Sequence, residues 1–186
     1  MTTPRMDRVR AAQVAAGPWL GLDFAAGRTP ALRATAVCVT VDASLLARGW
    51  TVRQWPSWLR RFKWTQRTST TFHILRTICL RTSYTGENAR DASLMVHEEI
   101  HTHQAGLGWW TRLKWTLRYL AVRGFRLAAE LEAEAHEDAM MVRLGEREAD
   151  ISGEFDPWRC PRVDGWTVPL MAEHVRRRSL ALRGAA

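Results

Sequence analysis

Lysine is almost missing from this chain: of its 27 basic residues only Lys63 and Lys114 are lysine, and the other 25 are arginine. The net charge of +8 is therefore an arginine charge. A bias between the two cations speaks to solubility and non-specific association rather than to fold, so basicity alone does not point to a nucleic-acid partner. Cysteine is scarce too. Cys38, Cys79 and Cys160 are odd in number and far apart, with no Cys-x-x-Cys pair. Neither a disulfide framework nor a cysteine zinc ribbon is indicated, and a reducing, cytoplasmic compartment is expected. No run of about 18 apolar residues stands out, so no transmembrane helix is expected. Arg5, Arg8 and Arg10 before the alanine-rich stretch 11–16 echo a secretion signal, but Gln13, Gly17, Pro18 and Asp23 break the apolar run.

What is present is an ordinary globular balance, 46% hydrophobic and 25% charged residues in 186, long enough for one domain with a real core. Residues 1–33 carry no helical or alternating pattern and read as a loosely structured extension, leaving 34–186 as a single domain.

The chain is organised around Val96-His97-Glu98-Glu99-Ile100-His101-Thr102-His103-Gln104. On a helix, residues four apart share one face, so the imidazoles of His97 and His101 converge on one tetrahedral zinc ion. Glu98 lies about 100° further round, placed to take a proton from a water whose pKa zinc lowers to about 7. Gln104 returns to the His97 face, whereas His103 points away, alongside Glu99 and Thr102, and reads as solvent-facing rather than as a ligand.

The surroundings supply that helix. The segment 35–41, Thr-Ala-Val-Cys-Val-Thr-Val, is dense in β-branched residues and predicts a strand. Between Trp50 and Trp64 tryptophans interleave with arginines; Trp55, Trp58 and Phe62 predict a short helix after Pro56 packed on the core, the alternative being a membrane-surface or nucleic-acid patch. Residues 68–80 read as a second strand, with Phe72, Ile74, Ile78 and Leu80 on one face, Arg76 the exception there, and His73 a polar surface group on the other. Asn88 or Asp91 then caps the motif helix, which Gly106 and Gly108 stop. A further amphipathic helix follows over 109–122. Its stripe Trp110, Leu113, Leu117 and Leu120 is expected to pack on the domain, with Trp109 and Trp115 exposed; a membrane surface is the other reading.

Residues 125–145 form a strong helix closed by Gly145. A third ligand from it must lie on a buried face. Ala128, Leu131, Ala135, Ala139 and Val142 define a stripe, and Glu132 falls inside it, where a carboxylate is costly unless paired or metal-bound. Glu130 shares a face with Glu137, and Glu134 with Asp138, so both look solvated; Glu132 is the predicted ligand and Glu130 the alternative. Residues 147–164 suggest an ordered loop, and 171–182 a last, arginine-rich helix.

These residues resemble the gluzincin branch of the zincin metallopeptidases, more narrowly the minigluzincin-like domains with His-Glu-x-x-His-x-x-Gln and a later Glu-x-x-Ala. His97, Glu98, His101 and Gln104 match the first pattern, and Glu132 to Ala135 the second, so the resemblance spans about residues 68–145. It implies one zinc held by His97, His101 and Glu132, Glu98 as general base, and a peptide or protein substrate along the edge of a small sheet. It also implies a Tyr or His that stabilises the oxyanion; Tyr84, Tyr119, His136 and His174 are candidates, and spacing does not choose among them. Many relatives carry an acidic residue or tyrosine where this chain has His136. The expected fold is α+β, a small zincin-like domain with a short sheet packed on the His-Glu-x-x-His helix and the downstream glutamate helix. The rival expectation is a basic Trp/Arg-rich protein that binds nucleic acid or a membrane surface, its zinc site structural or absent.

Overall fold

The computed structural model describes residues 29–67, 69–145 and 163–184. The extension up to residue 28, most of the expected loop 147–164, and Cys160 lie outside the described residues.

The first element corrects the sequence reading. Residues expected as a strand are the middle of helix α1, Pro30–Ala47. Thr29 caps it, its side chain accepting from the Leu32 amide, and Pro30 stands at its first turn, where a missing N–H costs nothing. The Thr35 and Thr40 hydroxyls donate to the carbonyls of Ala31 and Ala36, so these threonines are accommodated within the helix. What decides is burial at helical spacing: Ala34, Val37, Cys38, Val41 and Leu45 all enter the core, and β-branching costs only a few tenths of a kcal/mol per helical residue. By length and composition this 18-residue helix, of mean hydropathy 1.3, could cross a membrane; its buried face lies in the core with the helix bearing His97 and His101.

A turn at Gly49, with φ of +75°, releases the chain into strand β1, Thr51–Gln54. A Cβ there would meet the Arg76 guanidinium at 2.9 Å. Residues 57–60 form turns rather than the expected helix. Trp55 is buried, while Trp58 and Phe62 are exposed. Helix α2, Lys63–Arg67, leads to β2, Thr70–Phe72, and β3, Thr77–Leu80. The single strand expected over 68–80 is thus a hairpin, broken at 73–76, where Arg76 takes φ of +48°. The sheet order is β1-β3-β2, with β1 parallel and β2 antiparallel to β3. β2 is therefore an edge.

Helix α3, Ala89–Ala105, carries the motif. Asn88 Oδ1 accepts from the Asp91 amide at 2.9 Å, the cap anticipated from sequence. Asp91 is wholly buried and gathers Arg81, the Thr85 and Gly86 amides and the Asn88 side chain, which pins the helix start to the loop after β3. Helices α4, Trp109–Ala121, α5, Arg123–Arg143, and α6, Val168–Gly184, complete the α+β fold among the described residues.

Two cores share α5. Ala133, Met140 and the following Leu144 pack with α1, the sheet and α3, whereas Leu127, Leu131, Ala135 and Ala139 pack with Met171, Val175 and Leu182 of α6. The helix is sandwiched, so it has two buried faces. This decides the site.

Candidate metal centre

His97 and His101 project from one face of α3 and are almost fully buried. Their Nε2 atoms lie 3.2 Å apart. From α5, Glu130 reaches both: Oε1 is 3.3 Å from His101 Nε2, and Oε2 is 3.6 Å from His97 Nε2. Two metal bonds of about 2.0–2.1 Å at a tetrahedral angle set their ligand atoms about 3.3 Å apart. The three groups therefore fit one small cation. Glu130 Oε2 is buried without a hydrogen-bond partner, which a bound cation would satisfy.

The third residue is thus not the one the stripe selected. Glu132 points to the α6 side, where its carboxylate takes Arg178 through Nη2 at 2.8 Å and Nε at 3.1 Å. Glu130-Leu131-Glu132-Ala133 has the same Glu-x-x-Ala spacing two residues earlier. The apolar stripe found a buried face of α5, but the one that meets α6. Glu137, whose sharing a face with Glu130 suggested solvation, lies instead at the site, with Oε2 2.9 Å from His97 Nδ1. Glu134 Oε1 is 3.9 Å from the same atom.

Each ring is held from behind. Gln104 Nε2 donates to the Ala129 carbonyl at 3.0 Å, which leaves its Oε1 to accept from His101 Nδ1, also at 3.0 Å. With the proton on Nδ1, the Nε2 lone pair of His101 faces Glu130. Such partners fix the tautomer and raise ligand basicity. Burial alone would depress the basicity of His97, but Glu130, Glu137 and Glu134 more than offset this and hold its pKa well above the usual range. Burial likewise pushes the Glu130 carboxyl up, and the facing His101 and His97 carry it well below the carboxylate range. The cluster thus favours bound positive charge.

Glu98, expected as a base, is buried beside this group, and its Oε2 accepts the Thr71 hydroxyl of β2. It lines a cavity of about 590 Å³ together with His97, His101, Glu130, the edge strand β2 and α4 residues Trp115 and Tyr119. Of the four oxyanion candidates Tyr119 lines this cavity, and its hydroxyl donates to Glu130. Tyr84 packs against the core around Cys38. His136 Nδ1 bonds the Glu132 carbonyl at 2.9 Å on the α6 side of the helix, and His174 packs on Trp166.

Three further expectations change. His73 is not a surface group: it is buried with its ring 4.2 Å from that of Trp115 and 6.5 Å from that of His101. Burial, then the neighbouring His101 and Arg112, push its pKa down to about 3, so the imidazole is neutral. The α4 helix is turned over: Arg112 and Trp115 are its buried residues, and Trp110, Leu117 and Leu120 are exposed. His103, expected to face solvent, is half-buried beside Glu99, on the side of the helix where Glu99 and Thr102 bond Arg48 at 3.0 and 2.9 Å. Sequence reasoning missed Glu137, His73, Thr71 and Trp115 at the site. A Glu seven residues past Glu130 was the one signal in hand, since that spacing returns to the same helix face.

Comparison with protein-family models, curated proteins and solved structures returns no match, so the functional reading rests on this geometry.

Proposed function

We propose that the protein is a zinc-dependent peptidase, in which His97, His101 and Glu130 hold the metal and Glu98 is the general base. The observation that carries this reading is a buried carboxylate, Glu98, standing beside a group of two imidazoles and the Glu130 carboxylate close enough to hold one ion, without being part of that group, on the wall of an accessible cavity. Two histidines and a carboxylate suffice to hold a metal; a second carboxylate facing the cavity is suited to moving a proton.

Zinc, when bound, supplies a Lewis acid that makes water acidic near neutral pH and polarises a carbonyl. Glu98 takes the proton of the attacking water and delivers it to the departing amine nitrogen. The Thr71 hydroxyl, bonded to Oε2, holds the carboxylate in position for both transfers. Tyr119 and the neutral His73, whose Nδ1 has no hydrogen-bond partner, line the same cavity; the Tyr119 hydroxyl, which donates to Glu130, would serve the carbonyl oxygen only by turning away from that carboxylate. The free side of the edge strand β2 borders the cavity, and an extended peptide can add to it by main-chain hydrogen bonds. The zincin-like character of the fold belongs to this proposal.

The test is zinc content and hydrolysis of an unstructured protein such as casein, on wild type and Glu98→Gln. About one zinc per chain, with hydrolysis that the substitution abolishes, is the expected result. A folded wild type that takes up no supplied zinc, or a Glu98→Gln variant as active as wild type, overturns the proposal.

A further inference from the structure

The exposed face of α4 is apolar where a helix on the outside of a domain is normally polar. Trp110, Leu113, Leu117 and Leu120 follow at spacings of three or four and form one stripe; Trp110 is 66% exposed, Leu117 57% and Leu120 56%. Single exposed hydrophobics are common, but a contiguous patch marks an interaction surface. This patch continues past the helix. Leu75, in the turn between β2 and β3, is 68% exposed, and Leu107, in the loop before α4, is 64% exposed. Arg76 and Arg112 both donate to the Leu107 carbonyl, tying that turn and that loop together.

The charge around the stripe is of one sign. No acidic residue occurs between Glu99 and Glu130, while that stretch holds five cations. Lys114, Arg118 and Arg123 are exposed, and Lys114 and Arg118 fall on one flank of the stripe, beyond Trp110 in helical projection. Nucleic acid calls for cations at the centre of its site; here the centre is apolar and the cations are at its border. Indole rings and leucines in the middle, with long cationic side chains beside them, complement acyl chains under anionic headgroups.

We propose that this surface docks the protein on an anionic lipid bilayer, with α4 lying in the interface plane. Ile74, Leu75 and Leu120 also line the cavity that holds Glu98, so docking brings the cavity mouth to the membrane. If the peptidase reading holds, on which this clause alone rests, the substrate is a polypeptide segment at the bilayer surface.

The full chain is sedimented with vesicles of phosphatidylcholine plus phosphatidylglycerol, and with vesicles of phosphatidylcholine alone. Wild type is expected to bind the anionic vesicles at least tenfold more tightly, with a blue shift of tryptophan fluorescence. Trp110→Glu with Leu117→Glu should lose binding on both, and Lys114→Glu should weaken the anionic binding about fivefold or more, as expected per cation near such a surface. Val39→Glu, at an exposed apolar position of α1, should bind as wild type does. Circular dichroism checks that each variant is folded. Glu98→Gln should bind vesicles unchanged, so failure of the peptidase reading leaves this result standing. Wild type that stays in solution with anionic vesicles overturns the proposal. So does binding that survives Trp110→Glu with Leu117→Glu, or a wild-type dimer in light scattering that those substitutions convert to monomer.

Discussion

Glu130 and His101 belong to different helices, yet the carboxylate Oε1 lies 3.3 Å from the ring Nε2, while Glu132, two residues away, lies against α6 with Arg178. Glu130→Ala is expected to lower zinc affinity by more than the 10–100-fold typical of an outer partner. Glu132→Ala should leave zinc bound and cost no more than about 1 kcal/mol, because the Arg178 pair is partly exposed. Chelator competition and thermal melts on the two variants make the comparison; equal zinc loss in both would contradict the assignment.

Gln104 orients His101 without touching the cation position. Gln104→Leu removes the acceptor for His101 Nδ1 and the donor to Ala129. Zinc affinity is expected to fall roughly 10–100-fold, measured by the same competition. Unchanged affinity would show that the ring is held by its packing alone.

Glu98→Gln keeps the shape of the side chain and removes the proposed base. Zinc should stay, and the hydrolysis rate should fall about 10²–10⁴-fold. Metal analysis beside single-turnover kinetics separates the two; loss of zinc would move Glu98 into the ligand set.

Asp91 sets an acid limit on stability. Burial pushes its carboxyl up, but the Thr85 amide, Arg81 and the Gly86 amide outweigh this and hold it below its ordinary value of 3.8. A folded value below the unfolded one means that the stabilisation is present above about pH 3.8 and is lost as pH falls through the folded value. Wild type should therefore lose melting temperature below about pH 4. Asp91→Asn should start lower at neutral pH, by about 3 kcal/mol, and show a flatter acid limb. Parallel acid limbs would show that other carboxylates set the limit.

The motif helix was legible because local rules specify it: the i, i+4 histidines, the Asn88 cap and the glycine stop all lie within twenty residues. The carboxylate that joins the two histidines, Glu130, was legible only as far as the helix that carries it. A hydrophobic stripe reveals that a face is buried, and α5 is buried on two sides, so the stripe facing α6 drew attention from the one facing α3. The stripe of α4 was correctly placed and assigned to the wrong environment, since periodicity cannot distinguish a core from an unpaired apolar surface. For α1, local β-propensity pointed to a strand, although Ala34, Val37, Cys38, Val41 and Leu45 already had helical spacing. Tertiary burial won there, because five core positions outweigh a few tenths of a kcal/mol per residue.

His101 and Glu130 also enclose a closed circuit of chain, comprising the end of α3, all of α4 and the start of α5. An ion held at that junction would tie together the two ends of roughly thirty residues in the folded state only, and its binding energy would add to folding. By mass action, an ion at about a hundred times its dissociation constant would add about 2.7 kcal/mol to folding. On the proposed reading, metal supply would then govern how stable the fold is as well as whether it cleaves.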